Sequence, residues 1–430
     1  MHLFRRALPF LLFSALACSG GDSGGVGSTA KTADIDVDAL PRLILVEEAR
    51  IGSVEDPDYG FSRIGGLDVD RDGNVFVFES MAREIRVYAP DGQLLRRFGG
   101  NGEGPGEFSS PAVGFGVDGD TVWAVEPMAG RLTLFDREGR VLSATGIEEV
   151  TVPLHGPGEM MVIQPMFPRR DGYFFGDRGG IRRLGGRGEL PSSSDTVFLP
   201  QIRFDSKGRV VDTVGWWPYP SRPPFTFVEV GSDRFRIPRP PGDDPLVINL
   251  PSGSIRIDRP LPVGSAPATF RLTRLDLLGD TIRTRVFRYR PIQYPDLLLD
   301  SLAARATRGG TGRDVIGTEG LRPPTDIEAA FSAVRDEMNF PDFQLPVQSH
   351  EIADEGTLWL GREDTGADTH QWIVLDAEDM PVGEVEVPRG VRIGWTDNDI
   401  MWAVETDEFD VPWLVRYRIR EEGRRPGSGE

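Results

Sequence analysis

Acidic residues end four copies of one short apolar pattern, and carboxylates at matching positions could form a cation site. The four are Glu79, Glu126, Asp177 and Glu405. If these side chains project toward a common axis, their oxygens could hold a divalent cation such as calcium or attract a cationic ligand. Two further copies have Arg362 and Pro238 at this position, which leaves the ring incomplete. The alternative interpretation is that arginines from neighbouring loops pair with these acids.

Histidine offers one further candidate for proton transfer. Of the four histidines in the chain, His350 falls on the predicted first strand of its repeat, where it could line a central channel and act as an acid or base. A structural role is the alternative. The sequence contains no nucleophile elbow, metalloprotease histidine pair or phosphate-binding loop. It therefore indicates no catalytic residues, favours non-enzymatic binding and predicts no cofactor other than that divalent cation.

A repeat positions these residues. The sequence VWAVE at 122–126 recurs as MWAVE at 401–405, and looser copies occur at 75–79, 173–177 and 358–362. A sixth, degraded copy centres on Phe235. Each copy follows a turn rich in Gly, Asp or Asn, and a second alternating segment lies downstream of it. Because apolar residues alternate with a period of two, each unit is predicted to form antiparallel β-strands.

One unit carries a recognisable resemblance. Residues 99–108 read GGNGEGPGEF, and they precede Pro111, a turn at 117–119, the strand at 122–126 and Arg131. This unit resembles an NHL repeat, and the chain is similar to bacterial six-bladed β-propeller lipoproteins of NHL type. The resemblance implies an all-β fold of six four-stranded antiparallel blades around an axis. Calcium-dependent lactonases and other propeller hydrolases use centrally placed carboxylates, so a metal-assisted hydrolase, lactonase or lyase stays open.

Ring closure and blade packing follow from the same repeat. The last unit lacks an outer strand, and the unassigned segment 43–46 is predicted to supply it by pairing with 414–419, since an open ring would leave an unpaired edge. Aromatic residues of the second strands are expected to pack between adjacent blades. They are Phe76, Trp123, Phe174, Phe235, Trp359 and Trp402.

A helical insertion at 290–345 interrupts the repeat between blades four and five. Thr325 and Glu328 form a predicted capping box, and apolar residues from Ile327 to Met338 recur on one helical face. Pro295 begins a second predicted helix with an apolar side. The insertion is expected on the same face as the four carboxylates, where a brace between blades or a lid over a central pocket are the alternatives.

The N-terminus predicts export and lipidation. Two arginines precede a short apolar run that ends in Ala15-Leu16-Ala17-Cys18, so residues 1–17 are predicted to be a lipoprotein signal peptide with Cys18 acylated. The predicted boundaries are a Gly/Ser-rich tether at 18–40, the propeller at 41–420 and a disordered tail at 421–430. The expected location is extracytoplasmic, anchored in the bacterial envelope at the outer membrane or periplasmic face.

The charge of the chain limits the classes of partner that it could bind. The formal net charge is −19, which argues against nucleic-acid binding because a polyanion would be repelled. Apart from the lipid membrane reached through Cys18, the leading hypothesis is a monomeric binding or scaffold module for a protein, peptide or glycan. Its predicted binding face carries Glu79, Glu126, Asp177, Glu405, His350 and Arg362.

Overall fold

The computed structural model describes residues 35–423, with gaps at 113, 127, 149, 154–158, 169–173, 184–196, 220–224, 231–232, 239, 251, 277–278, 309–325, 353–355 and 363–367. The described residues are mostly β-strand and include two α-helices. The predicted all-β class with a helical insertion is therefore confirmed. No helix among them is long and apolar enough to span a membrane.

Two sheets have four antiparallel strands each, in chain order. Sheet I consists of β3 (Ile64–Val69), β4 (Val75–Glu79), β5 (Glu84–Tyr88) and β6 (Leu94–Gly99). Sheet II consists of β7 (Gly114–Asp118), β8 (Thr121–Glu126), β9 (Arg131–Asp136) and β10 (Val141–Gly146). The copies of the repeat at 75–79 and 122–126 thus form second strands, as predicted.

Sheets III and IV contain the same four-stranded pattern with one strand added, so each has five strands rather than the predicted four. Sheet III is β11 (Val150–Pro153), β12 (Glu159–Pro168), β13 (Phe174–Arg183), β14 (Val197–Phe204) and β15 (Val210–Tyr219). Sheet IV is β18 (Leu246–Leu250), β19 (Gly253–Asp258), β20 (Ala268–Leu275), β21 (Thr281–Tyr289) and β1 (Ile35–Asp36). β1 pairs in parallel with the end of β21.

Sheets V and VI are hydrogen-bonded into one eight-stranded sheet, which the repeat does not predict. Sheet V is β22 (Ser349–Ile352), β23 (Leu358–Arg362), β24 (Thr369–Leu375) and β25 (Pro381–Pro388). Sheet VI is β26 (Arg392–Thr396), β27 (Ile400–Thr406), β28 (Pro412–Glu421) and β2 (Arg42–Ile51). Only two residue pairs of β2 and β25, in parallel, join the two halves.

The predicted pairing of the two chain ends is confirmed. β2 runs antiparallel to β28, from Leu43 opposite Glu421 to Ile51 opposite Leu414. The N-terminal strand therefore supplies the fourth strand of sheet VI. Residues 35–40, which the sequence assigns to the tether, also belong to the fold. They form β1 and a 3₁₀ turn at Val37–Ala39, and Val37 is buried against sheet IV.

Hydrophobic clusters lie between successive sheets. Separate clusters join sheet IV to V, V to VI, VI to I, I to II and II to III. The aromatic residues of the second strands occupy these clusters, as expected, because Phe76, Trp123, Trp359 and Trp402 are buried against the following sheet. The side chain of Phe174 lies outside the description.

The prediction that the sixth copy of the repeat forms a second strand of a four-stranded sheet is wrong. Phe235 lies on β17 (Asp233–Pro238), which forms a separate hairpin with β16 (Phe225–Val230). The second strand of sheet IV is instead β19, which follows a turn at Gly253. A turn and an alternating strand occur at both places, so the local pattern did not distinguish the hairpin from the blade.

The insertion contains α1 (Asp296–Arg308) and α2 (Ile327–Glu337), which pack on each other and on the β16–β17 hairpin. Ala330, Val334 and Met338 are buried there as predicted, but Ile327 is exposed. The N-cap of α2 is Asp326, whose side chain accepts a hydrogen bond from the Ala329 amide at 3.0 Å. Thr325 of the predicted capping box lies outside the described residues.

Most turns between third and fourth strands repeat one solution. In sheets II to V an aspartate begins the turn, and its carboxylate accepts backbone amides, as Asp136 does from Glu138 and Arg140. In sheet I the corresponding residue is Ala89. The fourth residue has a positive φ, which is why it is glycine at 92, 139, 208 and 279. In sheet V this residue is Asp379, with φ 59°.

Candidate functional site

Strand direction divides the connections of every sheet between two faces. In an antiparallel series of four strands, the turns between strands one and two and between three and four lie at one end, which we name the turn face. The turns between strands two and three, together with the connections to the next sheet, lie at the other end, the loop face. The second strands therefore end at the loop face, as the sequence predicts for Glu79, Glu126 and Glu405.

Glu79 is buried at the loop face, and backbone amides of nearby residues donate hydrogen bonds to both of its carboxylate oxygens. Its Oε1 accepts hydrogen bonds from the amides of Ser62 and Arg63 at 3.0 and 2.6 Å, and its Oε2 accepts one from Ala82 at 2.5 Å. The carboxylate thus ties the connection that enters sheet I to the turn that leaves β4. Such hydrogen bonds satisfy a buried carboxylate without a metal.

Glu126 repeats this arrangement in sheet II. Its Oε1 accepts from the amides of Ser109 and Ser110 at 2.9 and 3.1 Å, and Arg131 Nε donates to its Oε2 at 2.6 Å. The side chain of Glu126 is completely buried. The alternative in which an arginine pairs with the predicted ring acid is therefore what occurs at this position.

Glu405 is also paired. Arg50 from β2 donates to its Oε2 at 2.7 Å, and the Tyr417 hydroxyl donates to its Oε1. Burial, together with the hydrogen bond to Glu405, raises the pKa of Tyr417 above its usual range, so the phenol remains the donor. Asp177 does not end its strand as predicted, because β13 continues to Arg183. Asp177 lies opposite Gln164, and its side chain is outside the description, as is Cys18.

Arg362, the one arginine of the predicted binding face, ends β23 at the loop face and is buried. Only 5% of it is exposed, its nearest described carboxylate is Asp38 at 3.8 Å, and its guanidinium lies 5.8 Å from the centre of the Tyr289 ring. Burial lowers the pKa of Arg362, while Asp38 and Glu384 oppose the change. Arg362 thus fixes the N-terminal segment against sheets IV and V.

His350 and Glu351 lie on β22, the first strand of sheet V, where the sequence predicts His350. His350 is opposite Leu360 and Glu351 is opposite Trp359, so the two side chains point to opposite sides of the sheet. Burial raises the pKa of Glu351 to about 7, and Arg392 opposes the rise. Glu351 is not among the predicted site residues, because no local sequence pattern indicates that its carboxyl group is buried.

The predicted carboxylate ring does not assemble as a metal site in the described part of the molecule. No group of three or more His, Cys, Asp or Glu side chains there could hold a metal ion. At Glu79, Glu126 and Glu405 the oxygens already accept hydrogen bonds from backbone amides, arginines or a tyrosine. The chemistry of these acids is therefore to shape the loops around them.

The loop face exposes apolar side chains that are not among the predicted site residues. Among described residues, six large hydrophobic side chains are at least two-thirds exposed, from 67% to 95%. They are Val54, Met81, Met128, Val263, Leu297 and Phe409. Every one lies on a loop-face turn or on a connection between sheets. Met81 and Met128 could have been found from the sequence, since each stands two residues after its repeat glutamate.

Exposed acidic side chains are frequent on the connections of this face. On the loop-face connections of sheets VI, I and II, the exposed acids are Glu55, Asp56, Glu103, Glu107, Glu408 and Asp410. Arg63 is an exposed cation on the same described loops, whereas Arg83 and Arg131 are half-buried and donate to loop carbonyls. This part of the loop face therefore combines apolar protrusions with an excess of negative charge.

Comparisons with known proteins give no family. No protein-family model matches the chain, and no curated protein matches it. Among solved structures, a member of the DUF4221 family from Bacteroides vulgatus is 11% identical, with a TM-score of 0.40 over 88% of this chain and 99% of that one.

Two other solved structures are similarly distant. Virginiamycin B lyase from Staphylococcus aureus is 12% identical, with a TM-score of 0.33 over 87% of this chain and 99% of that one. BamB from Moraxella catarrhalis is 10% identical, with a TM-score of 0.29 over 87% of this chain and 99% of that one.

Proposed function

We propose that the six sheets are the blades of a six-bladed β-propeller built from NHL-type repeats. Five of the six successive interfaces carry a buried hydrophobic cluster, and the N-terminal strand completes sheet VI. The parallel pairing of β2 with β25 joins the outer edges of two blades and does not change this assignment. A ring of this kind presents its loops on two opposite faces.

The propeller is a lipid-anchored, extracytoplasmic binding module, and its loop face docks a protein or peptide partner. One observation carries this proposal: every large hydrophobic side chain exposed by two-thirds or more in the described residues lies on a loop-face turn or on a connection between sheets. Exposed apolar side chains that recur on one face of a fold are a feature of interaction surfaces. Glu79 and Glu126 contribute by holding the loops that present Met81 and Met128.

Charge determines the kind of partner. The exposed acids on the loop-face connections of sheets VI, I and II favour a segment that carries both basic and apolar side chains. Anionic lipid headgroups would be repelled by the same acids, so direct docking of this face on an anionic bilayer is disfavoured. The metal-assisted hydrolase receives no comparable support, because the oxygens of three of its four candidate carboxylates are already bonded within the fold.

The test uses the full chain in mild detergent and a labelled synthetic peptide of alternating lysine and leucine. We expect saturable binding that weakens with salt and falls at least about tenfold when Met81, Met128 and Phe409 are all replaced by serine. A matched control replaces Leu95 and Leu142, which are exposed on outer strands.

Three results would oppose the proposal. Equal loss in the control variant would mean that the peptide binds apolar surface in general. Equal binding of an alternating glutamate and leucine peptide would remove the role of charge. Binding to vesicles of anionic phospholipid with no binding of the basic peptide would assign the face to the bilayer.

Anchoring is tested separately. Replacing Cys18 with alanine should move the protein from the membrane fraction to the soluble extracytoplasmic fraction, and should abolish incorporation of a labelled fatty acid. If the Cys18→Ala protein remains membrane-bound and labelled, lipidation at this residue is wrong. Peptide binding by the loop face would be unaffected by that outcome.

A further inference from the structure

A cleft opens on the turn face, opposite the proposed partner surface. Its volume is about 860 Å³, within the range of small-molecule sites. The turns between first and second strands of sheets VI, I and II form it, so three adjacent sheets contribute. None of the predicted site residues lines this cleft, and the proposed function does not use it.

Part of the wall of the cleft is apolar. Trp395 from β26 and Val69 from β3 line it with Trp402, and these residues belong to the cluster that joins sheets VI and I. Val117 continues the wall in sheet II. A half-buried tryptophan at such an opening offers an aromatic surface for the body of a ligand, and indole rings attract cations.

Most polar side chains in the cleft are committed to the fold. Asp70 accepts hydrogen bonds from the amides of Asp72 and Asn74, both at 2.9 Å, and is paired with Arg137. Asp397 accepts from the amides of Asp399 and Ile400 at 2.7 and 2.6 Å. Asp70 thus has both oxygens bonded, and Asp397 uses its Oδ1 to hold the turn that it begins.

The cations of the cleft are committed as well. Arg71 is paired with Asp120 at 3.0 Å, and Arg416 is paired with Glu48. The oxygen of the Asn398 side chain accepts a hydrogen bond from Thr357 at 3.3 Å. Both cations of the cleft thus already have a carboxylate partner within the fold.

Two carboxylates are left over, Asp118 and Asp399, on the turns that flank sheet I. Neither side chain makes a hydrogen bond or an ion pair with a described residue, although Arg418 acts on Asp399 electrostatically. The uncommitted polar groups of the cleft are thus both anionic, and they lie beside a tryptophan. Two carboxylates are too few for the six to eight oxygens that calcium requires.

We propose that this cleft binds an organic cation, a primary amine or guanidinium on an apolar body. The charged group pairs with Asp118 and Asp399, and the apolar body packs on Trp395. The cavity and its aromatic wall are independent of the carboxylates, and together the three features select charge sign, size and apolarity. This site goes beyond the proposed function, and neither depends on the other.

The test measures binding to the full chain by isothermal titration calorimetry, with three probes of matched size. They are 4-phenylbutylamine, the neutral 4-phenylbutanol and the anionic 4-phenylbutyrate. We expect the amine to bind at least about tenfold more tightly than the alcohol, and the carboxylate to show no binding, because a charge-assisted hydrogen bond contributes about that factor. Quenching of tryptophan fluorescence should accompany amine binding.

Variants locate the site. Asp118→Asn and Asp399→Asn should each weaken amine binding about tenfold, and Trp395→Leu should weaken it severalfold and remove the quenching. Asp280→Asn is the matched control, because Asp280 is an exposed turn-face aspartate in sheet IV, outside the cleft. None of the aspartate variants should change the melting temperature appreciably.

Each alternative outcome overturns the assignment. Equal affinity for amine and alcohol would make the cleft merely apolar, and equal loss in Asp280→Asn would make the effect one of overall charge. Tight calcium binding that competes with the amine and is lost in Asp118→Asn would make it a metal site. Absence of amine binding in wild-type protein whose loop face still binds its basic peptide would refute the cleft alone.

Discussion

Replacing Glu126 with glutamine tests whether the repeat carboxylates hold the loops or hold a metal. The native carboxylate is completely buried and accepts hydrogen bonds from two backbone amides and from Arg131 at 2.6 Å. Glutamine keeps one oxygen for the amides of Ser109 and Ser110 but turns an amide nitrogen toward the guanidinium. The charge-assisted hydrogen bond is lost, and a buried donor then faces another donor.

The expected cost follows from these contacts. A hydrogen bond to a charged group contributes about 1.5–3 kcal/mol, and a buried unpaired donor costs a similar amount. Because 19% of the Arg131 side chain is exposed, water recovers part of this loss. We therefore expect Glu126→Gln to lower the free energy of unfolding by about 2 kcal/mol. Glu103→Gln, at an exposed position on the same face, should change it by less than about 0.5 kcal/mol.

Urea unfolding followed by tryptophan fluorescence measures this difference, once with excess calcium and once with a chelator. The loop-holding role predicts the same loss in both conditions. A metal at Glu126 would instead stabilise only the wild-type protein, by about 2.7 kcal/mol at a calcium concentration one hundred times its dissociation constant. Calcium-dependent stability that disappears in Glu126→Gln would refute the structural role and restore the metal hypothesis.

Three further substitutions have defined outcomes in the same unfolding assay. Because the folded-state pKa of Glu351 is raised to about 7 from an ordinary value of 4.5, stability should fall by up to about 3 kcal/mol as pH rises from about 4.5 to 7, and Glu351→Gln should remove that slope. Asp379→Asn should lower the free energy of unfolding by about 3–5 kcal/mol, because it leaves two arginines without their buried counter-ion. The exposed Glu378→Gln should lower it by less than about 0.5 kcal/mol, and equal losses would contradict this explanation. Ile51→Ala should cost about 2–4 kcal/mol and Ile44→Ala, on the same closing strand but exposed, much less; similar values would mean that β2 does not secure sheet VI.

The repeat predicted the strands because their signal is local. Alternation and a preceding turn determine where 75–79, 122–126, 358–362 and 401–405 lie, and each is a second strand as expected. The closing strand was also predictable, since an unpaired edge is costly and 43–46 was the unassigned apolar segment. The β16–β17 hairpin was not predictable, because its turn and alternation are the same local signals that a blade strand produces.

The candidate site was less predictable than the fold. A sequence locates Glu79 and Glu126 at strand ends, but it does not show which backbone amides will meet their oxygens. Hydrogen bonds from residues 16 and 17 positions away occupy both carboxylates, and only the folded connection brings those amides there. Exposure of Met81 and Met128 has the same origin, since an apolar residue after a strand is ordinarily expected to be buried.

Asp379 replaces the glycine of a repeated turn and places a carboxylate in the interface between two sheets. In the corresponding turns of sheets I to IV the fourth residue is glycine, because a positive φ strains other residues. Asp379 accepts that strain, is completely buried, and bonds Arg274 of sheet IV at 2.5 Å and Arg283 at 2.9 Å. Aspartate tolerates this conformation better than most residues, so a carboxylate enters the interface without rebuilding the turn.

The same comparison separates the two faces of the molecule. On the turn face, the aspartates that cap Asp-Gly turns spend their oxygens locally, so an uncommitted carboxylate such as Asp118 stands out against a satisfied background. On the loop face, the connections vary in length. Glu79 and Glu126 hold the bases of two of these loops through hydrogen bonds to backbone amides. Apolar residues are exposed on the loop face, and the proposed site for an organic cation lies in the cleft on the opposite face.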